Sequence, residues 1–573
     1  METRETIRSV IQDAIHGLPP VLINTTSGRL CNKSEQAAAF ESMPAFTELI
    51  SSMTRHIDYA RIEREVGEYY RYATFSHTWE QNEPLFEKVV KIVVYNLEES
   101  TTHKKLQMFC RIVREAGFNW AWSDTCCINK SDHIILQEAL VSMFTWYEGS
   151  SLTVIFLRGV RCLSTRGALM RSIWNKRAWT LQEYHASKVV RFYTEDWTPY
   201  LNLDIPNHKE SPEIISEMEE ATGISARALT ALRPGLDNVR EKLRLASTRQ
   251  TTRVEDAAYS LLGIFSLPLS VVYGEGDKAL GRLLALLLPS SGDTSILAWT
   301  GRSGSFNSCL PANISVFEQL PTLHIPPVTT GIEADAFVAA LRGSSPDFTS
   351  VTTLYDRVNE LPVPMFSGHR MRLPCLTFKL GRVSASRNMP ERVFRARTDA
   401  LGTVTIKTEE DLSQFDSLYL IHPWIDFLLD RHPIGNVTET SPNENVDDQP
   451  SLMGELLFSG PSTSASAALQ TRAARLVFRL GRPFGGRPNA AIQDTASLRP
   501  PSSVSPVENQ IRILRFIARL RQPFGALLLT PTRQNMDEYK RVAAESLITV
   551  QVEDITPTIL KKLIEGVKML DVL

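Results

Sequence analysis

Short apolar runs alternate with helical patterns between residues 70 and 200, and this alternation constrains the fold more than any other feature. The patterns of Tyr72–Ser76, Trp120–Asp124, Leu152–Leu157 and Lys188–Tyr193 each predict a short strand. Between two of them, the segment Leu136–Tyr147 carries one apolar stripe at helical spacing. Strands that alternate with helices usually form parallel sheets, because each connection crosses back over the sheet. We therefore predict an α/β fold with a mostly parallel sheet flanked by helices, followed by a helical segment and a β-rich C-terminal region.

The pattern of apolar and polar residues changes along the rest of the chain. Short β-like runs such as Arg372–Phe378 and Leu418–Ile421 follow residue 295. We predict five parts. The first is a helical lead-in over 1–70 with a polar loop near 24–34, and the second is an α/β core over 71–200 with a helical extension over 201–290. A β-rich region over 295–432, a linker or disordered segment over 433–470 and an α/β element over 471–573 follow.

Two local patterns refine this division. In the helical extension, Thr252 and Glu255 have capping-box spacing and predict the start of a helix over Asp256–Phe265. In the last part, Arg475–Gly485 and Arg515–Gly525 are two copies of an RPFG-type repeat. Two similar strands explain the repeat, and a short basic element that binds an anionic partner is the alternative.

Composition excludes several classes of protein. The 573 residues are 43% hydrophobic and 22% charged, which allows a sizeable core, and the net charge of −2 gives no general attraction to nucleic acid or acidic membranes. The first residues lack the apolar region of a secretory signal, and the longest apolar run, near Leu283–Leu288, is too short to span a bilayer. Seven irregularly spaced cysteines without a C-x-x-C pair predict a reducing compartment and no metal site. We expect a cytoplasmic protein without a membrane span, a nucleic-acid partner or a bound cofactor.

Polar residues follow two of the predicted strands at the edge where ligands bind open α/β sheets. In Phe75–Glu80, the side chains of Ser76, His77 and Trp79 suit a ribose, a phosphate and a stacked ring. After the second strand, Asp124 is placed to orient a ligand hydroxyl or His77. The alternative is a strand-exit turn with a packed tryptophan. The cysteines that follow Asp124 lack a recognisable base, so we interpret them as buried structural thiols.

A further candidate lies in the segment Trp174–Glu183. Trp179 and Glu183 are four residues apart and share a face if the segment is helical. A carboxylate beside an indole is partly desolvated, which raises its pKa and suits it to acid–base work or to stabilising a cationic transition state. The alternative is a helix with a buried tryptophan in which Glu183 pairs with Arg177 or Lys176.

Together these segments resemble the fungal heterokaryon-incompatibility (HET) domain family. The segments that carry the resemblance, in the family's order, are Tyr72–Glu80, Trp122–Lys130, Gln137–Tyr147, Arg177–Glu183, Arg249–Phe265 and Tyr273–Gly276. The stretch Gln522–Val552 also resembles tails of basidiomycete members. Glu80, Asn129 and Ala178 depart from the family pattern, which has Gly, Asp and Gly more often at these positions.

The resemblance implies a role in nonself recognition, a form of innate immunity that ends in programmed cell death. It also implies a fold similar to TIR domains, with Tyr72–Ser76 at the place of their first strand. Trp179 to Glu183 resembles the TIR helix pattern Trp-Cys-x-x-Glu, whose glutamate cleaves the nicotinamide–ribose bond of NAD. By this analogy Glu183 is the candidate catalytic residue of an NAD nucleosidase. Ser76, His77, Trp79, Asp124 and Trp179 are the candidate substrate-binding residues.

Two hypotheses follow from the resemblance. In the first, HET domains self-associate, or meet a partner from an incompatible allele, and then cleave NAD as a substrate. In the second, the protein is a non-enzymatic adaptor that recruits partners. An open pocket lined by Glu183 and Ser76 would favour the enzyme, and a buried Glu183 paired with Arg177 would favour the adaptor. A hydrolase that uses Ser76, His77 and Asp124 is disfavoured, because neighbouring residues of one strand point to opposite faces.

Overall fold

The structure is a computed structural model. It describes residues 2–53, 56–161, 166–222, 225–226, 233–319, 348–385, 392–423, 513, 516, 520, 523–533, 535, 537–552 and 555–573. These residues belong to one compact unit, Met1–Arg431 with Arg512–Leu573, and a second unit comprises His432–Ile511. The predicted linker over 433–470 and the first repeat copy lie outside the described residues, and the second copy is described only in part.

The described helices lie mainly in the first half of the chain. They are α1 (Glu2–His16), α2 (Lys33–Glu41), α3 (Pro44–Ser52), α4 (Tyr59–Tyr69), α5 (Phe86–Val89), α6 (Thr101–Glu115), α7 (His133–Gly149), α8 (Ala168–Arg171), α9 (Ile173–Lys176), α10 (Trp179–Ala186), α11 (Pro212–Thr222), α12 (Val239–Ser247), α13 (Asp256–Tyr259), α14 (Leu262–Phe265), α15 (Lys278–Ser291), α16 (Phe348–Asn359) and α17 (Pro557–Gly566).

The described strands fall into an early group and a late group. They are β1 (Val21–Asn24), β2 (Leu30–Asn32), β3 (Tyr72–Ser76), β4 (Trp120–Ser123), β5 (Leu152–Leu157), β6 (Val190–Thr194), β7 (Met365–Ser367), β8 (Arg370–Lys379), β9 (Ser384–Ala385), β10 (Val393–Thr398), β11 (Gly402–Lys407), β12 (Tyr419–Pro423), β13 (Phe524–Pro531), β14 (Glu538–Arg541), β15 (Ile548–Val550) and β16 (Val567–Val572). The predicted α/β class and the β-rich region late in the chain are confirmed.

The early strands form one sheet in the order β2-β1-β4-β3-β5-β6. Strand β3 pairs in parallel with β4 and with β5, and β5 pairs in parallel with β6. Every residue of β3, β4 and β5 is buried, as expected for strands that are covered on both faces. The four predicted strands of this region are confirmed to within two residues at each end. Because β3 lies inside the sheet, its last residue, Ser76, leaves the sheet at a central position.

Local sequence explains the helices that flank this sheet. Helix α7 begins after Asp132, whose carboxylate accepts hydrogen bonds from the backbone N–H groups of Ile134 and Ile135. Helix α6 begins after Ser100, whose hydroxyl accepts from the backbone N–H of His103. The apolar stripe predicted for α7 is confirmed, because its residues from Leu140 to Tyr147 that follow the stripe spacing are buried.

Four predictions need correction. The lead-in is not purely helical, because β1 and β2 form an antiparallel hairpin whose inner strand β1 pairs with β4 and extends the sheet. Residues 86–97 also have the periodicity that predicts a helix, but they form only the single turn α5 and a 3-10 turn at Val94–Asn96. The helix predicted over 256–265 is divided into α13 and α14. The capping box was wrong, because the Glu255 carboxylate accepts from the backbone N–H groups of Gly274 and Gly276 instead.

The late strands form two further sheets. Strand β8 is central to the larger one, where it pairs antiparallel with β7, β12 and β16. Strands β9, β10 and β11 form a smaller antiparallel sheet. A buried arginine links the larger sheet to the segment after α15. The guanidinium of Arg541 donates to the carbonyl oxygen of Trp299 at 2.7 Å and to that of Leu297 at 3.1 Å, and it stacks on the Trp299 ring.

Candidate functional site

A serine, a glutamate and a tryptophan form a buried hydrogen-bonded chain at the carboxyl end of β3. The Trp174 indole N–H donates to Ser76 Oγ at 2.7 Å, and the Ser76 hydroxyl donates to Glu183 Oε2. An indole N–H can only donate, so the single proton of the serine hydroxyl is directed to the carboxylate. Ser76 is fully buried, and Glu183 is only 6% exposed. The fold therefore brings together the predicted Ser76 and Glu183.

The position of Glu183 in the fold explains its electrostatics. Burial raises the pKa of Glu183 to about 7, and the negative charge of Asp124 acts in the same direction. The positive charges of Arg177 and Arg249 and the hydrogen bond from Ser76 oppose this effect. At neutral pH the carboxyl group is therefore close to half ionised, which is the condition that suits a group that changes its charge during a reaction.

The two arginines near Glu183 are anchored to backbone oxygens. The Arg177 guanidinium donates to the carbonyl oxygen of His77 at 2.8 Å, and in the described chain it forms no ion pair with Glu183. Arg249 donates to the carbonyl oxygen of Arg177 and to Thr180 Oγ1, each at 3.0 Å. These contacts hold α10 against the end of β3, because Thr180 lies on that helix and His77 follows the strand.

His77 lies on the other side of the strand end from Ser76. Its ring stacks on Phe75 with 4.3 Å between centroids, and its Nε2 is 3.8 Å from Glu83 Oε2. Within the described chain, neither ring nitrogen has a hydrogen-bond partner. Burial, and then the charge of Lys105, hold the pKa of His77 well below its usual range, so the imidazole is neutral. No Ser–His pair forms, in agreement with the argument against a hydrolase.

Glu83 and Lys105 were missed by the sequence analysis. Lys105 Nζ donates to Glu83 Oε1 at 2.5 Å and to Glu80 Oε1 at 3.0 Å, and the side chains of Lys105 and Glu83 are nearly fully buried. Glu80, which departs from the family pattern, therefore has a partner. The only signal in the sequence was its departure from glycine, which gives no indication that Lys105 on α6 supplies the matching charge.

Trp79 and Asp124 form a second contact at this edge of the sheet. The Trp79 indole N–H donates to Asp124 Oδ2 at 2.8 Å, and Lys130 Nζ lies 3.6 Å from the centroid of the Trp79 ring. Lys130 Nζ also donates to the carbonyl oxygen of Asp124 at 2.6 Å. Trp79 is 38% exposed, so this ring is at the surface, whereas Glu183 is buried. Asp124 orients Trp79 rather than His77.

The second predicted tryptophan has another partner. The Trp179 indole donates to the Asp256 carboxylate, which also accepts from the Tyr273 hydroxyl at 2.9 Å. Trp179 thus attaches α10 to α13, and the indole that completes the Ser76–Glu183 chain is that of Trp174. Trp174 belongs to the segment Trp174–Glu183, but the helical spacing from Glu183 predicted Trp179 as the neighbouring indole.

The cysteines after β4 are buried thiols. Cys126 and Cys127 are almost inaccessible, and the hydrogen bond between the two thiols and burial raise the pKa of Cys126 well above its usual range. A neutral thiol is a poor nucleophile. Among the described residues, no three histidine, cysteine, aspartate or glutamate side chains are placed to hold a metal ion, and no helix is long and apolar enough to cross a membrane.

Neither of two cavities found among the described residues is lined by Ser76 or Glu183. One of about 840 Å³ lies between α15 and the β7–β8 hairpin, with Arg282, Phe306 and Phe366 among its walls. The other, of about 600 Å³, lies beside the end of α10. Glu183 is therefore adjacent to Ser76, as the enzyme hypothesis expects, but it is buried, as the adaptor hypothesis expects.

The fold and this site define an α/β module with a buried, electrostatically perturbed glutamate at the carboxyl end of a central strand. Residues 72–167, which contain β3, β4 and β5, match the family model described as Heterokaryon incompatibility protein (HET). This segment of the chain is therefore similar to the heterokaryon incompatibility family.

A curated relative supports the same assignment. The vegetative incompatibility protein HET-E-1 of Podospora anserina is 34% identical over 227 residues, which cover 37% of this chain and 16% of that protein. The chain thus matches about a sixth of the length of this relative. No solved structure matches the chain.

Proposed function

We propose that this protein acts in nonself recognition and promotes programmed cell death when its HET modules are brought together. We propose further that its effector reaction is the cleavage of NAD in the cytoplasm, with Glu183 as the catalytic residue of a TIR-like site. The partner would be a second copy or the product of an incompatible allele, and the tail resemblance favours a basidiomycete-type member. The observation that carries the proposal is the hydrogen bond from Ser76 to the buried Glu183 at the end of β3.

The chemistry requires a fixed carboxylate. When the bond between nicotinamide and ribose breaks, the electron pair leaves with nicotinamide, and the ribose becomes oxocarbenium-like before water adds. A nearby carboxylate stabilises this positive charge best when it is held in place and shielded from water. Ser76 holds Glu183 in position. Because the pKa of Glu183 is about 7, a large share of the molecules carries the ionised form at neutral pH.

Burial of Glu183 suggests how the activity is controlled. At 6% exposure the carboxylate has no room for a ribose beside it. Substrate access therefore requires a rearrangement, and the contact of Trp79 with Asp124 is our candidate for it, because the charge of Asp124 acts on Glu183. Assembly of several modules would supply the free energy for such a rearrangement, since a ligand or partner shifts an equilibrium only by binding one state more tightly.

The same burial also favours a second candidate function. If Glu183 is a structural acid that is satisfied by Ser76, the module is a non-enzymatic adaptor that acts by oligomerisation and partner recruitment. The low exposure of Glu183 supports this alternative. In that case the neutral form of Glu183 is sufficient for the fold, and glutamine, which has the same shape, replaces it without loss of cell-death activity.

Expression in a fungal host distinguishes the two functions. Cells would carry the wild type, Glu183→Gln, or Glu138→Gln as a matched control, since Glu138 is exposed on α7. The enzyme proposal expects the wild type and Glu138→Gln to deplete cellular NAD and cause death, and Glu183→Gln to do neither at equal protein level. Death caused by Glu183→Gln at the wild-type rate, with NAD unchanged, contradicts the enzyme and supports the adaptor.

A further inference from the structure

We propose that the cavity of about 600 Å³ beside the end of α10 binds a small molecule that carries a phosphate group and an aromatic or apolar ring. Ser187 and Lys188 on its wall precede β6, and Glu148 precedes β5, so the cavity lies at the amino ends of these strands. The Ser76–Glu183 pair lies at the carboxyl end of β3. Glu183 itself does not line the cavity, and this proposal does not rest on the reaction proposed for Glu183.

A half-buried lysine is the central feature of the cavity. Lys209 Nζ donates to the carbonyl oxygen of Ser187 at 2.5 Å and lies 4.5 Å from the centroid of the Tyr184 ring. Within the described chain, Lys209 has no carboxylate at ion-pair distance. Taking an ammonium group out of water without a counterion is costly, so an anion that enters the cavity gains from neutralising it.

Two more cations lie on the same wall. Burial, and then the positive charge of Arg233, lower the pKa of Lys209 to about 8. The Arg233 guanidinium is therefore close enough to repel the Lys209 ammonium group. Lys188 is exposed at the rim. A phosphate group suits this arrangement, because lysine binds it as a point charge and arginine can bind two of its oxygens at once.

Two carboxylates also line the cavity and set a limit on its positive charge. They are Glu148, which is exposed, and Glu210, which accepts a hydrogen bond from the Asn207 side chain at 3.0 Å. Among the described residues, neither forms an ion pair with Lys188 or Lys209. Three cations and two anions therefore leave an excess of one positive charge, and in the described part of the chain the half-buried Lys209 has no carboxylate at ion-pair distance.

The remaining wall is apolar and suits a ring. Phe144, Tyr184 and Met218 are buried residues that line the cavity. A volume of about 600 Å³ lies within the range of roughly 300–1,000 Å³ that is typical of small-molecule sites. A phosphate at Lys209 would leave space for a ring against Phe144 and Tyr184. These walls fit a nucleoside monophosphate better than a free phosphate ion.

Calorimetric titration of the full chain tests this proposal, with inorganic phosphate and AMP as the probes. We expect AMP to bind, and to bind more tightly than phosphate. Lys209→Gln should weaken AMP binding about tenfold, which is the effect of losing one hydrogen bond to a charged group. Lys561→Gln, at an exposed lysine of α17 outside the cavity, should leave binding unchanged. No AMP binding by the wild type, or equal affinity for AMP and phosphate, overturns the proposal.

A second pair of variants keeps the test informative if Lys209→Gln does not fold. Lys188→Gln changes only an exposed rim residue, and we expect it to weaken AMP binding about threefold and to reduce the salt dependence of the affinity. Lys561→Gln is its control and should bind AMP as the wild type does. Wild-type affinity in Lys188→Gln at low salt, or equal losses of affinity in the two variants, contradicts the proposed site.

Discussion

The Ser76 hydroxyl donates a hydrogen bond to Glu183, which lies 107 residues later in the sequence, and the same hydroxyl accepts one from the Trp174 indole N–H. The contact joins the end of β3 to the middle of α10. It fixes the carboxylate and favours its ionised form, while burial favours the neutral form. The balance of these two effects leads to predictions about stability that do not depend on the substrate.

Replacing Glu183 by glutamine should make the protein less sensitive to pH. The pKa of Glu183 is raised from 4.5 to about 7 in the folded chain. Between these pH values the folded chain keeps a proton that the unfolded chain has lost, so the free energy of unfolding falls as the pH rises through this window. Glu183→Gln has no such group. At pH 8 the variant should be more stable than the wild type by on the order of 3 kcal/mol, and at pH 4.5 the two should be similar.

Denaturant unfolding at a series of pH values measures this difference. The comparison of the two proteins removes the contribution of other titrating groups, which they share. A difference in unfolding free energy that is constant from pH 4.5 to 8 would show that the carboxyl group does not have a raised pKa.

Removing the charge of Asp124 should lower the pKa of Glu183, because the negative charge of Asp124 raises it. Asp124→Asn keeps an oxygen that can accept from the Trp79 indole, so the local contact can persist. In the Asp124→Asn protein, the pH range over which Glu183 lowers the free energy of unfolding, relative to the same protein with Glu183→Gln, should then end at a lower pH. Asp13→Asn, at an exposed position of α1, is the matched control and should leave the window unchanged. An equal shift in both variants would assign the effect to net charge alone.

Removing the Ser76 hydroxyl should destabilise the fold. Ser76→Ala leaves the Trp174 N–H and one Glu183 oxygen without a buried partner, which costs about 1–3 kcal/mol. Trp174→Phe should cost less in the Ser76→Ala background than in the wild type, because the N–H is already unpaired there. Urea unfolding of the four proteins of this cycle gives both values, and Ser51→Ala on the surface of α3 serves as the control. Strict additivity would contradict the hydrogen-bonded chain.

Gly263 on α14 should tolerate no side chain. A Cβ atom at this position would lie 2.2 Å from the Cβ of Phe144 on α7, whereas one at Gly17 would meet nothing within 4 Å. Gly263→Ala should therefore lower the free energy of unfolding by about 1–3 kcal/mol through overpacking, and Gly17→Ala should change it little. Thermal unfolding of the two variants checks this. Equal melting temperatures would mean that α7 and α14 are not packed as described.

The sequence predicts the central sheet well because its signals are local. Strand β5 is a continuous apolar run, and α7 has a regular stripe between a capping aspartate and a following serine. The β1–β2 hairpin was missed because its strands have only four and three residues and include asparagines. Its place in the sheet depends on pairing between Ile23 and Ala121, which are far apart in sequence.

The candidate site, like the fold, was predicted only where local sequence signals place its residues. Glu183 and Ser76 are each placed by a strand or helix that the sequence predicts, so their meeting follows from the topology. The partners of the indoles do not follow from spacing. Trp179 lies four residues before Glu183, yet its N–H is used by Asp256, and Trp174 from the preceding helix α9 takes the position beside Ser76. The ion pair of Glu83 with Lys105 also depends on how a loop closes against α6.

NAD turnover by the purified full chain tests the central claim most directly. The chain would be measured alone and when clustered through a fused dimeriser, with Glu183→Gln and Glu138→Gln treated in the same way. The proposed function predicts release of nicotinamide by the clustered wild type and by clustered Glu138→Gln, and a loss of at least about a hundredfold in Glu183→Gln, which is typical of removing a residue that stabilises the transition state. Clustered wild type that leaves NAD intact while it still causes cell death would contradict it.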